Sequence, residues 1–158
     1  MDETFRHGVF ADDAGRKRRA FLFLVNPKLH YNPYPDWKKW LPMAKAGKAI
    51  ELQWNTGSRR SGMESGDLAL LVKVGVDPRG LVAIGDVTSS IYEGPHWNPD
   101  ASRPTTGWVD IRLTALLDLD MPLPLAILKE VGPGIRWTPR MSGTEVPLDV
   151  ALAACDLV

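Results

Sequence analysis

Cysteine occurs once, at position 155, which excludes an internal disulfide. The three histidines stand at no spacing to cysteine or to each other that would assemble a zinc site. No metal and no cofactor are expected, and a reducing, cytoplasmic setting is. Nowhere does the chain reach the roughly 20 apolar residues that a bilayer span needs. Residues 1–19 are polar and charged, so neither a membrane partner nor a secretion leader is expected. A surplus of charge is missing too. Nineteen Lys and Arg balance nineteen Asp and Glu, and attraction to phosphates would have to come from local clusters. Catalytic patterns are equally sparse. Gly132-Pro133-Gly134 lacks the lysine and the strand–helix context of a phosphate loop. His30 and His96 have no Ser, Cys or Asp companion at triad spacing. Asp67 and Asp86 follow glycines at strand boundaries, where turns call for them, and no carboxylate pair stands out for acid–base work. No catalytic residue is assigned, and a binding module rather than an enzyme is expected.

What is present fits one globular domain, with 44% hydrophobic and 24% charged residues over 158 positions. Residues 1–19, ending in Arg16-Lys17-Arg18-Arg19, read as a flexible basic arm, and residues 20–158 as the folded domain. Residues 20–25 form a compact apolar run ended by Asn26-Pro27, expected as the central buried strand of a sheet. Asp36 is expected to cap a helix reaching Lys45, with Trp37, Trp40 and Leu41 on one face. Residues 50–54 alternate as a half-buried strand does. Residues 68–74 and 80–88 read as a hairpin, and 108–116 as a further strand. Residues 89–107 bear prolines and read as a long irregular loop of the kind that is usually functional. Short helices are expected over 121–130 and 148–155. Strands interrupted by short helices indicate an α+β, partly closed β-barrel with peripheral helices.

Six tryptophans in 158 residues is high, and several fall at strand ends or in loops. Trp54 precedes a turn, and Tyr92 and Trp97 lie in the long segment. Such rings could pack in a core, or they could wall a slot in which a base stacks. Around them stand side chains able to read a base edge: Asn26, Asn55, Ser61, Ser142 and Thr144. Taken singly, each also suits a turn or a cap. Arg59, Arg60, Arg136 and Arg140, with Arg103, gather near the same loops, where they suit phosphate contacts or simply a solvated surface.

A resemblance rests on an ordered string of motifs over about residues 20–154. The apolar strand ends in Asn26-Pro27-Lys28. Next come Gln53-Trp54-Asn55-Thr56, Gly66-Asp67 before an apolar strand, and Arg79-Gly80-Leu81-Val82-Ala83-Ile84-Gly85. Ile91-Tyr92-Glu93 and His96-Trp97 follow, and the string closes with Arg136-Trp137-Thr138-Pro139-Arg140-Met141-Ser142-Gly143-Thr144-Glu145-Val146-Pro147. The string resembles the EVE domains of the PUA-like superfamily, relatives of the YTH readers of methylated adenine in RNA. The resemblance implies a PUA-like fold and a clamp for a nucleotide extruded from its strand. By the YTH pattern it assigns Trp54 as the first cage wall, Trp97 or Tyr92 as the second, and Ser142 to Thr144 as a closing loop. Asn26 and Asn55 are candidates for edge recognition. The stretch 137–147 is most similar to EVE modules fused to HNH nucleases that attack DNA containing modified cytosine, and no His-Asn-His segment follows before Val158.

The expected function is therefore a nucleic-acid binding module that flips 5-methylcytosine or 5-hydroxymethylcytosine of DNA into an aromatic cage. It would serve as the specificity domain of a modification-dependent restriction system, with a fused or associated nuclease as partner and DNA favoured over RNA. A reader of modified RNA, or a protein binding a free nucleotide or other small planar ligand, are the alternatives.

Overall fold

The computed structural model describes residues 11, 15–29 and 31–158. The expected arm falls largely on 1–10 and 12–14, which lie outside the described residues, as does His30. Among the described residues, eight strands and three helices follow in the order β1 (Ala20–Val25), α1 (Tyr34–Lys45), β2 (Ile50–Asn55), β3 (Leu68–Lys73), β4 (Gly80–Val87), β5 (Tyr92–Pro95), β6 (Thr105–Leu116), β7 (Leu123–Pro124), α2 (Leu125–Val131), β8 (Thr144–Val146) and α3 (Leu148–Cys155). They build one sheet of order β2-β6-β4-β3-β1-β8, with β5 added to β6 and β7 to β4. All pairings are antiparallel except β1 with β3.

The unbroken apolar run of β1 reflects burial on both faces. Phe21, Phe23 and Val25 enter one core with Trp37, Trp54, Leu71, Val109 and Ile111. Ala20 and Leu22 enter the other, under α2 and α3, with Leu70, Val72, Leu81 and Trp137. The strand is buried apart from half-buried Leu24, yet it lies next to the edge strand β8 and not at the sheet's centre. Its apolar character comes from the helices covering it, which a central position would have explained equally well. β2 alternates between buried Ile50 and Trp54 and exposed Glu51 and Gln53, as an edge strand with one solvated face should.

Two further expectations are corrected. The helix α1 begins at Tyr34 after Pro33, with Pro35 in its first turn, where the missing N–H costs nothing. Asp36 lies inside that turn and caps nothing. The segment 89–107 is not irregular throughout, because β5 pairs with the first residues of β6 to make a hairpin.

Arg16, Arg18 and Arg19 are pinned to the fold. The buried Asp67 carboxylate accepts from Arg16 Nη1 (2.7 Å) and Nη2 (3.1 Å), and from the backbone N–H groups of Arg19 (3.0 Å) and Glu64 (2.9 Å). Arg18 reaches Asp86 (3.0 Å) and Arg19 pairs with Glu145 (2.7 Å).

Candidate nucleic-acid interface

The sheet does not close. Its edges β2 and β8 are joined by side chains and by the loops that flank them. Trp54 of β2 donates its Nε1–H to the Leu24 carbonyl of β1 (3.2 Å), and Arg59 donates its Nε–H to the Gly143 carbonyl (2.7 Å). The two loops touch through glycines. A Cβ on Gly57 would stand 2.7 Å from the Ser142 carbonyl oxygen, and one on Gly143 2.5 Å from that of Thr56. Gly57 has φ of 62° and Gly143 of 86°, a region open to glycine at little cost.

Beside this seam opens a cavity of about 930 Å³. Its inner wall is aromatic. Trp54, 9% exposed, meets Tyr31 edge-on with centroids 5.5 Å apart and planes at 83°, and Trp40 of α1 also lines it. The Tyr31 hydroxyl donates to the Asp36 carboxylate. Burial, and then that hydrogen bond, hold the hydroxyl protonated well above its ordinary range. A carboxylate oxygen thus sits among aromatic rings, an acceptor suited to an exocyclic amino group such as cytosine N4. The outer wall comes from the β5–β6 connection. Trp97, 36% exposed, lies against His96 with centroids 5.3 Å apart, and the His96 Nδ1 accepts from the Asn98 N–H (3.0 Å).

Of the residues singled out from the sequence, Trp54, Trp97, Asn26, Asn55, Ser142, Arg60 and Arg140 line this one cavity. Asn26 and Asn55 are committed in part to turns, each accepting through Oδ1 from a backbone N–H two residues on, at 3.0 Å and 3.2 Å. The Ser142 Oγ accepts from the Leu24 N–H (2.9 Å), which leaves its proton available to donate.

Tyr92, Ser61, Thr144, Arg59 and Arg136 are not among the lining residues. Tyr92 stands on β5 opposite Trp108 and donates to Asp110 (2.6 Å). Burial, and then that hydrogen bond, push its hydroxyl up to about 12. Arg59 lies over the Phe21 ring at 4.9 Å while holding Gly143, so it belongs to the seam. Thr144 donates to the Met141 carbonyl (2.9 Å), and Ser61 and Arg136 are exposed.

Sequence reasoning missed Tyr31, Asp36, Trp40, Arg79 and Trp108 as site residues, all of which line the cavity. Tyr31 and Asp36 meet because Pro33 and Pro35 bend the chain into α1, a geometry that residue spacing does not reveal. Arg60, Arg79, Arg103 and Arg140 are exposed and line the same cavity, a cationic rim on a chain of zero net charge. Among the described residues no group of His, Cys, Asp and Glu could hold a metal ion, and no helix is long and apolar enough to cross a membrane.

No known family model matches the sequence, and neither does any curated protein. Solved structures do share its fold. A hypothetical protein from Leishmania major superposes with a TM-score of 0.63 at 17% identity, over 89% of this chain and 94% of that one. Human THYN1, in complex with 5-methylcytosine containing DNA, gives 0.58 at 14% identity over 88% and 96%. The YTH domain-containing protein Mmi1, in complex with RNA, gives 0.53 at 14% identity over 89% and 80%. At such identities the likeness is one of fold: this chain has the α+β, PUA-like fold shared by YTH domains and THYN1.

Proposed function

We propose that the cavity receives one modified nucleobase, 5-methylcytosine or 5-hydroxymethylcytosine, flipped out of DNA, and that the chain reads the mark without acting on it chemically. The observation that carries this reading is the convergence of Trp54, Tyr31, Trp40 and Trp97 on one cavity that also holds the Asp36 carboxylate and the Asn26, Asn55 and Ser142 polar groups. Trp54 and Trp97 serve as cage walls. Stacking on such rings contributes about 1–3 kcal/mol per base, enough to offset much of the few kcal/mol that unstacking costs. Asp36 accepts from the cytosine amino group, and the asparagine carboxamides and the Ser142 hydroxyl read the remaining edge. Arg60 and Arg140, joined by Arg79 and Arg103, take the flanking phosphates. Burial of the added methyl contributes about 1 kcal/mol, so shape and ease of flipping supply the rest of the discrimination.

The likeness to THYN1, whose structure holds 5-methylcytosine containing DNA, supports DNA as the partner. The likeness to Mmi1, whose structure holds RNA, supports modified RNA as the second reading. In the first reading the chain supplies specificity to a modification-dependent restriction system, with an HNH nuclease fused or associated. Residues 20–158 form the reading domain, and residues 1–19 are the arm that leads into it.

The test is fluorescence anisotropy at one salt concentration with matched DNAs carrying cytosine, 5-methylcytosine or 5-hydroxymethylcytosine, and an RNA carrying N6-methyladenine. Tighter binding to one modified DNA, lost in Trp54→Ala and Trp97→Ala proteins that melt cooperatively, supports the reading. Equal affinity for all three DNAs contradicts it, and preference for the RNA moves the assignment to the second reading.

A further inference from the structure

Met141 lines the cavity but takes no part in the recognition proposed for it. Met141 is 49% exposed, although it borders the cavity and packs against the seam, its Cβ 3.1 Å from where a Cβ on Gly57 would stand. The backbone that presents it is held on both sides. Before it, Trp137 is 2% exposed and donates its Nε1–H to the Gly132 carbonyl (3.2 Å). After it, Ser142 accepts from the Leu24 N–H (2.9 Å) and the Gly143 N–H donates to the Leu22 carbonyl (2.8 Å). The Met141 carbonyl itself accepts from the Thr144 hydroxyl (2.9 Å). The result is a flexible apolar side chain on a fixed stalk, at the mouth of a slot and next to the rim cation Arg140.

A base that leaves a duplex leaves a hole in the stack, and proteins that distort DNA fill such gaps with apolar wedges, methionine among them. Resting on the proposed function, we infer that Met141 enters the duplex as the flipped base departs and occupies its vacated place, so that the partner is a double strand. Leu29, 53% exposed, is an aliphatic side chain that also lines the cavity. Its backbone N–H donates to the Asn26 carbonyl in a turn (3.1 Å), a more local support than the cross-strand bonds of the Met141 loop.

A single strand has no hole to fill, and this separates the plug from the slot. Anisotropy is measured with a duplex carrying one 5-methylcytosine and with its isolated modified strand, on the wild-type, Met141→Ala, Met141→Leu and Leu29→Ala proteins. The expected result is a loss of about tenfold for Met141→Ala on the duplex, with single-strand affinity held within about twofold and Met141→Leu close to wild type. Equal losses on both ligands, no loss on either, or a duplex-specific loss that follows Leu29→Ala would overturn the assignment. Wild-type binding to the single strand alone would sink the plug and leave the base slot standing. Wild-type binding to neither would sink the proposed function and the plug together.

Discussion

At the scale of single residues, the tryptophans divide by what surrounds them. Trp37 and Trp137 are 2% exposed, and each spends its indole N–H on a backbone carbonyl, of Leu117 and Gly132 respectively. Replacing Trp137 by alanine should cost roughly 3–5 kcal/mol, read as a fall in the urea midpoint. Trp97→Ala should change the unfolding free energy by less than about 0.5 kcal/mol while abolishing binding of the modified base. Cys155 yields a separate prediction. Burial pushes its thiol up to about 11, so in the native protein the reactive thiolate is scarce at pH 8. Labelling by a chromogenic disulfide reagent should be slow at pH 8 and become rapid in denaturant. Fast native labelling would contradict the burial. Trp54 and Trp97 were legible as residues that line the cavity because each precedes or interrupts a turn. Tyr92 shared that signature, and only its tertiary setting, with the hydroxyl spent on Asp110 of β6, reveals that it is not a lining residue.

At the scale of elements, strands with strong patterning were readable and those made by tertiary pairing were not. β1, β2, the β3–β4 pair and α3 carry apolar runs or periodicity that burial explains directly. β5 carries Tyr-Glu-Gly-Pro with little burial and exists because β6 offers it a free edge, which no local propensity encodes. The seam between β2 and β8 was likewise hidden, since it joins loops about eighty residues apart by glycine contacts and one arginine. Gly143→Ala would meet both an unfavourable φ and the Thr56 carbonyl oxygen. It should destabilise the fold by about 1–3 kcal/mol and weaken base binding, because Met141 and Ser142 hang on the same loop. A variant with unchanged melting temperature would mean that the seam carries no strain-sensitive contact.

At the scale of the whole molecule, zero net charge leaves the four rim arginines as the source of attraction to phosphate. If three of them each neutralise one phosphate of a duplex, the logarithm of the affinity should fall with the logarithm of salt at a slope of about −3. A slope near zero would favour a free nucleoside or another small planar ligand. The fold class and the aromatic character of the site were legible because core burial and stacking both leave aromatic residues in the sequence. The rim was legible in part, since Arg60 and Arg140 flank turns, whereas Arg79 reaches the cavity through the turn between β3 and β4. The central claim is that one base enters between particular tryptophans, and the six indole N–H signals in a ¹H–¹⁵N NMR spectrum test it most directly. On addition of a short DNA carrying 5-methylcytosine, the Trp54 and Trp97 signals should move while those of Trp37 and Trp137 stay in place. Movement of the core pair with Trp54 and Trp97 unchanged would contradict the account.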